Sequence, residues 1–351
     1  MAATRAAPAA GGAVRQRVTA GVGAAVLVAV VFALNYYHLP VVALSPGPAE
    51  DILSRIKVRG RTPVYESKGH LYLTSVGIDD DVRFYEALLD LANRDVQVLP
   101  RKDLYPQGES IQEVDRRNAV DMDDSKLNAT VVALRELGYK VNPSATQVVD
   151  VAKGAPAAGR LRDGDQILRV DGRAVSSRAE VQREIARHRP GDRVVLGVRR
   201  GQRQLDIPIR TRASSDPPVR AQVGVVLRDD FQELPVNVTI DTENIGGPSA
   251  GLMFALSIID KLTPQDLTGG RRIAGTGEIA IDGAVGPIGG IAEKLIAAKR
   301  QGATIFLVPE GNCAEARRAA PPGLRLVRVA TLGDALRFLR QAPAAATAPA
   351  C

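Results

Sequence analysis

The hydrophobic pattern opens with an uninterrupted apolar run. Val18 to Leu34 contains no charged side chain. Its 17 residues, at about 1.5 Å each, make roughly 25 Å of helix, the short end of a bilayer span. Asn35, Tyr36, Tyr37 and His38 extend it with side chains suited to a headgroup layer. Arg5, Arg15 and Arg17 precede it, and no acidic residue occurs before Glu50. This pattern predicts a cytoplasmic tail over 1–17 and a transmembrane signal-anchor over 18–38, with everything beyond residue 40 on the extracytoplasmic side. A cleaved signal peptide is the rival reading, with Val41 and Ala43 at the cleavage site. The length of the run and the aromatic stretch after it favour an uncleaved anchor.

Three blocks follow a Pro-rich linker at 39–63. In the first, 64–138, Leu71 to Val76 alternates as a strand, and Asp81–Ala92 and Ser125–Leu137 have helical spacing. The stretch 95–115 reads as irregular. In the second, 139–212, Val148–Val151 is a strand, and Gly164–Gly172 is a strand ending in an Asp-Gly hairpin turn. Ser177 caps a helix that runs to His188, and Val194–Val198 and Leu205–Ile209 form a hairpin across Arg200-Gly201. In the third, 223–340, strands at Val223–Leu227 and Val236–Ile240 lead into Gly246-Gly247-Pro248-Ser249-Ala250-Gly251 and an almost wholly apolar helix, Leu252–Asp260. A hairpin over Ile279–Val285 and a helix over Ile291–Arg300 come next. Strand, helix, strand and helix then follow to Leu339, an alternation that argues an α/β layer fold. The tail at 341–351 is Ala/Pro-rich and reads as disordered.

Composition narrows the chemistry. With 45% hydrophobic and 24% charged residues over 351, the chain has the make-up of a folded protein. Two cysteines, Cys313 and Cys351, exclude a disulfide scaffold and a cysteine-rich zinc module. Three histidines, His38, His70 and His188, argue against a metal site, and no cofactor is expected. The net charge of +7 is mild, and no basic cluster is interleaved with aromatics, so no nucleic-acid partner is expected. Ser54-Arg55-Ile56-Lys57 matches S-x-x-K, but neither S-D-N nor K-T-G follows it.

Gly247-Pro248-Ser249-Ala250-Gly251 satisfies G-x-S-x-G. The hydrolase that motif suggests needs a histidine after the serine, and none lies beyond residue 188. His188 sits between Arg187 and Arg189, which suits a solvated surface. His70 stays open as a base, with no carboxylate motif beside it. A lysine can serve if burial lowers its pKa from about 10.4 by several units. Over Ile291–Arg300, at roughly 100° per residue, Ile291, Leu295 and Ala298 form the apolar stripe. Lys294 projects on the buried side, Lys299 lies near the flank, and Glu293 and Arg300 fall opposite. Taken alone, a lysine snorkelling from the core edge is an equal reading of Lys294.

Two resemblances bear on these readings. The run G-x-L-x-x-G-D-x-I-L-x-V-D-G, Gly159 to Gly172, and the element order of 139–212 resemble a bacterial PDZ domain. That resemblance implies binding of peptides, often C-termini, at a sheet edge. Gly138-Tyr139-Lys140-Val141 is a candidate carboxylate-binding loop, and a plain helix C-cap glycine is an equal reading. The G-P-S-A-G run, Thr276-Gly277-Glu278-Ile279, and Gly286 through Ala298 (GPIGGIAEKLIAA) resemble the proteolytic domain of Lon proteases. This second resemblance implies Ser249 as nucleophile, Lys294 as base and Thr276 as a partner of the lysine amine. It also implies an α/β (α+β) Lon-type fold that assembles as a homo-oligomer. Many Lon proteins carry an acid immediately before the motif; Gly246 stands there in this chain, which bears on a polar or autoinhibitory role of that side chain and not on the dyad.

Anchor, PDZ and Lon-like blocks in this order resemble the membrane-anchored PDZ/Lon-like proteases of Gram-positive bacteria. The expectation is an ATP-independent serine endopeptidase acting on protein or peptide substrates, since no G-x-x-x-x-G-K-[ST] phosphate loop occurs. The backbone of Gly247, Pro248, Ser249 and Ala250 would shape the oxyanion site, with Ser249 donating its N–H. The PDZ block would recruit or gate substrate, with 64–138 lending the strand Leu71–Val76 to the protease sheet. A surface PDZ adaptor with an inactive protease domain is the alternative. Pairing of Cys313 with Cys351 stays open at this stage.

Overall fold

The computed structural model describes residues 21–23, 25–26, 28–32, 34, 36, 38–93, 95–105, 111–214, 218–231, 233–242, 245–341 and 350–351. In chain order its main elements are β1 (Val41–Asp51), β2 (His70–Asp79), α1 (Phe84–Ala92), β3 (Gln97–Pro100) and α2 (Ile111–Glu136). Then come β4 (Ala145–Val151), β5 (Gln166–Val170), α3 (Arg178–Ala186), β6 (Arg193–Arg200), β7 (Arg203–Arg210) and β8 (Val225–Asp230). The last group is α4 (Gly251–Leu262), β9 (Arg272–Gly275), α5 (Ile291–Arg300), β10 (Ile305–Pro309), α6 (Cys313–Ala319), β11 (Arg325–Val329) and α7 (Leu332–Leu339). The chain divides into two compact units, one of residues 1–133 and 238–351, the other of 134–237.

The first unit is built on a six-stranded mixed sheet in the order β11-β10-β9-β2-β1-β3. β2, β9, β10 and β11 run parallel, and β1 is antiparallel to β2 and β3. Every residue of β10 is buried, as expected of an inner parallel strand covered on both faces. Thus the strand at Leu71–Val76 shares a sheet with strands more than 190 residues further along the chain. α5 packs on β1 and β2. Ile291, Leu295 and Ala298 fill one core with Tyr72, Ala274 and Phe306.

Two expectations are corrected here. The segment 39–63 is not a linker, because its residues 41–51 form β1, with Val42, Ala43 and Leu44 buried. Pro46 and Pro48 gave it a linker's composition. They sit where the register against β2 shifts, a place where missing N–H donors are tolerated. Nor is the stretch 95–115 irregular. It holds β3, a helical turn at Arg101–Leu104 and the start of α2, which begins at Ile111 rather than at Ser125. The first half of α2 is so polar that its periodicity is weak, and Val114 and Met122 are its buried markers. At the N-terminus, residues 21–23, 25–26, 28–32 and 34 are helical, and Val22, Val26, Val28 and Phe32 are exposed. Even so, among the described residues no helix is long and apolar enough to cross a membrane. Several positions of the expected 18–38 anchor, and all of 1–17, lie outside the described residues.

The second unit is an antiparallel sheet in the order β8-β4-β5-β6-β7, with a two-residue strand, Arg173–Ala174, paired to β5. Asp171 and Gly172 both have positive φ, which a tight Asp-Gly hairpin turn demands. The Ser177 side chain accepts from Glu180 N–H and caps α3. Val148, Ile167, Val181, Leu196 and Ile209 form the core. The strand expected at 223–227 as part of the third block instead belongs to this sheet, as β8 beside β4. Its Leu227 and the adjacent Val223 complete the same core, so burial assigns the strand to this unit. The C-terminal tail was expected to be disordered. Cys351 is instead disulfide-bonded to Cys313, while residues 342–349 lie outside the described ones.

Candidate active site

Ser249 lies in the turn before α4, which starts at Gly251. Gly247 has φ +83°, a conformation that side-chain-bearing residues rarely adopt. A Cβ on Gly251 would come within 2.7 Å of Ile279 Cγ2 and 2.9 Å of Ser125 Oγ, so only glycine fits against that neighbour. Hydrogen bonds pin the loop from two sides. Gly247 N–H donates to Asn118 O (2.9 Å), and Ser125 Oγ donates to Pro248 O (3.0 Å), both partners lying on α2. Opposite them, Ser249 O accepts from Gly277 N–H (2.8 Å) and from Thr276 Oγ1 (2.9 Å).

Lys294 approaches from α5. Gly290, at φ +67°, starts that helix. Asn312 clamps the loop before it, accepting from Ile288 N–H (2.9 Å) and donating to Ile288 O (2.8 Å). Lys294 is only 3% exposed. Its Nζ lies 2.7 Å from Ser249 Oγ and 3.1 Å from Thr276 Oγ1. Burial pulls its pKa from 10.5 down to about 8. Thr276, itself 1% exposed, donates to the Ser249 carbonyl and accepts from the lysine, so one hydroxyl ties both groups together. Ser249 and Lys294 line a cavity of about 820 Å³ whose other walls include Leu44, Leu73, Val76, Leu99, Glu50 and Arg55.

Other expected positions fall elsewhere. Pro248 has no N–H and the Gly247 N–H is engaged by Asn118, so neither donates to an oxyanion; Ser249 and Ala250 are the loop residues left to do so. Gly138 N–H bonds to Arg135 O and Tyr139 N–H to Leu134 O. Gly138 has φ +84°, and Val141 is buried. Of the two readings of Gly138–Val141, including Lys140, the structure holds the helix C-cap, and those two amides are not free to bind a carboxylate. Glu293, expected opposite the buried stripe, is 3% exposed. Packing of α5 against β1, β2 and α6 covers that side too, and burial raises its pKa. Lys299 is exposed. His70 pairs with Asp51 (2.6 Å), a carboxylate that the sequence did not suggest, and His188 pairs with Asp171 (2.9 Å); neither histidine lines the cavity. Ser54 Oγ donates to Asp51 O, outside any catalytic geometry.

Sequence reading missed the supports from α2 and Asn312. A signal existed for the first. Asn118, Met122, Ser125 and Ala129 follow one another at helical spacing, putting small polar groups on an inward face.

Comparison with known proteins decides the domain content. Residues 226–336 match the Lon protease (S16) C-terminal proteolytic domain, and residues 127–211 match the PDZ domain. The chain carries both domains. A Lon protease of Lachnoclostridium phytofermentans is 37% identical over 94 residues, 26% of this chain and 11% of that protein. Lon protease 3 of Sorangium cellulosum is 36% identical over 113 residues, 31% of this chain and 13% of that protein. The chain thus spans about a tenth of the length of these relatives. The PDZ domain of the SdrC-like protein of Listeria monocytogenes is 29% identical, over 25% of this chain and 93% of that one, with a TM-score of 0.23. Ser249, Thr276 and Lys294 all lie within the Lon-type match, which supports a serine peptidase.

Proposed function

We propose that this protein is an ATP-independent, membrane-anchored serine endopeptidase with a Ser249–Lys294 dyad facing the extracytoplasmic side. The observation that carries the reading is the 2.7 Å approach of a buried Lys294 amine to Ser249 Oγ. With a pKa of about 8, roughly a tenth of the amine is neutral at pH 7, against a negligible fraction for an ordinary lysine. The neutral amine accepts the Ser249 proton as Oγ attacks the peptide carbonyl. The N–H groups of Ser249 and Ala250, ahead of α4, receive the developing oxyanion. Collapse breaks the C–N bond, and the Lys294 ammonium returns its proton to the leaving amine. Lys294 then takes a proton from water as the water oxygen attacks the acyl carbon; the C–Oγ bond breaks, the acid departs, and the Lys294 ammonium returns the proton to Ser249 Oγ. Throughout, Thr276 keeps the amine directed at Oγ.

Other parts of the reading have their own support. The uncharged run at 18–34 with three arginines before it supports the anchor and its direction. The Cys313–Cys351 disulfide suits an oxidising compartment. No phosphate-loop motif occurs in the 351 residues, in keeping with ATP-independent cleavage of flexible segments. The PDZ-type match at 127–211 supports recruitment or gating of substrate by that domain, and a homo-oligomer rests on the resemblance to Lon domains alone.

Casein cleavage without ATP tests the core of the proposal. Ser249→Ala and Lys294→Met should each abolish it while circular dichroism stays unchanged. Full cleavage by both variants would sink the dyad, and silence of the wild type alongside binding of C-terminal peptides would favour an adaptor.

A further inference from the structure

α1 turns its apolar face the wrong way for a core helix. Tyr85, Leu88, Leu89 and Ala92 lie at i, i+3, i+4 and i+7, which is one stripe of a helix. That stripe normally faces the interior. Here Tyr85, Leu88 and Leu89 are 43%, 55% and 66% exposed, and the flanking Leu91 is 72% exposed. The buried residue of the helix is Ala87, on the opposite side.

The position of α1 says what covers this face. Its cap residue Arg83 forms an isolated β-bridge with His38, and Leu39 N–H donates to Val82 O (3.0 Å). His38 stands four residues after the uncharged run ends at Leu34. Phe32, Tyr36, His38 and Arg83 line a common cavity of about 330 Å³. The start of α1 is therefore held at the point where the chain leaves the apolar segment. Nine residues make about 13 Å of helix, so the whole stripe stays close to that point. A tether this short favours the surface next to the anchor over a partner met by diffusion.

We propose that α1 is an interfacial helix, with Tyr85, Leu88, Leu89 and Leu91 seated among the lipid headgroups and upper acyl chains. This inference rests on the membrane-anchored reading. Asp79, Asp80 and Asp81 precede the helix; Asp80 pairs with Arg101 and Asp81 with His38. The acidic run disfavours anionic lipid, which makes a zwitterionic surface the one to test. After α1 the chain enters β3, whose Gln97 and Leu99 line the Ser249 cleft. Docking thus ties one wall of the cleft to the membrane.

The chain has no tryptophan, which makes the test direct. Leu89→Trp and Val26→Trp are introduced separately into the full chain and reconstituted in phosphatidylcholine vesicles with brominated acyl chains. Both tryptophans should be blue-shifted and strongly quenched. Adding Leu88→Ser and Leu91→Ser should remove most of the quenching at position 89 while casein cleavage persists. Quenching at 26 but not at 89 overturns the docking and leaves the anchor standing. Quenching at 89 alone supports the docking and removes the anchor, and no quenching at either overturns both. A blue-shifted but unquenched Trp at 89 marks a protein partner and also overturns the docking.

Discussion

α5 and α1 are of similar length, ten and nine residues, yet they break the inside-outside rule in opposite directions. α5 buries a lysine and a glutamate, and α1 exposes three leucines and a tyrosine. Each departure runs against the usual sorting of residue types. In α5 the departure lies inside a packed core and creates a base by desolvation. In α1 it lies on the surface and leaves apolar area in need of a cover. The difference teaches that polarity alone does not locate function; polarity set against burial does.

The largest effect that could break the comparison concerns Lys294 itself. Lys294→Met should lower kcat/KM by roughly 10²–10⁴-fold or more, the range for loss of a positioned acid-base group. For the wild type, kcat/KM should rise with pH and level off above about 8, because the neutral amine is the active form. A profile flat from pH 6 to 10 would break the assignment of the base.

Next in size is the covalent link beside α5. Cys313 and Cys351 pack against the core that α5 fills, and their disulfide closes a 38-residue separation. Its reduction should destabilise the fold by about 4 kcal/mol on the loop-entropy estimate. Thermal unfolding with and without reductant measures this.

A smaller effect has the opposite sign. The folded-state pKa of Lys294 lies below its unfolded value of about 10.5, so the stability this group contributes is present above pH 10.5 and lost as pH falls to about 8. At pH 7 the buried lysine should therefore destabilise the protein by at most about 3 kcal/mol. Lys294→Met should be more stable than wild type at pH 7, and the gap should close by pH 10.5. Urea melts at the two pH values check the sign.

The smallest effect belongs to α1. Leu88→Ser and Leu91→Ser should change the stability of the lipid-free protein by no more than about 0.5 kcal/mol each, because neither side chain is in the core. A loss of 2 kcal/mol or more in the same melts would show that the outward face is packed after all.

Much of the site was legible along the chain. The G-P-S-A-G loop and the helical phase of Lys294 are local patterns, and both can be read within ten residues. Thr276 came only through the resemblance to Lon domains. The supports were harder. Asn118 and Ser125 act through backbone groups more than 120 residues away, and Asn312 clamps a loop from beyond the next strand. Glu293 was misplaced because a helical projection assumes one wet side, whereas α5 is covered by β1, β2 and α6 together. β1 was misread because its two prolines look like a linker until the bulge that holds them is seen.

The sequence by itself determined most of the elements between residues 139 and 340, the glycines that permit the nucleophile turn, and the side of α5 toward which Lys294 projects. Periodicity and local backbone preference settle these, and both act over a few residues. Only the tertiary structure decided that residues 41–51 and 70–79 complete the sheet of the Lon-type domain, that β8 joins the PDZ sheet, and that Lys294 lies 2.7 Å from Ser249. Those outcomes depend on which distant segments bury one another. Burial is also what pulls the lysine pKa to about 8, so the chemistry of that one side chain is a property of the fold.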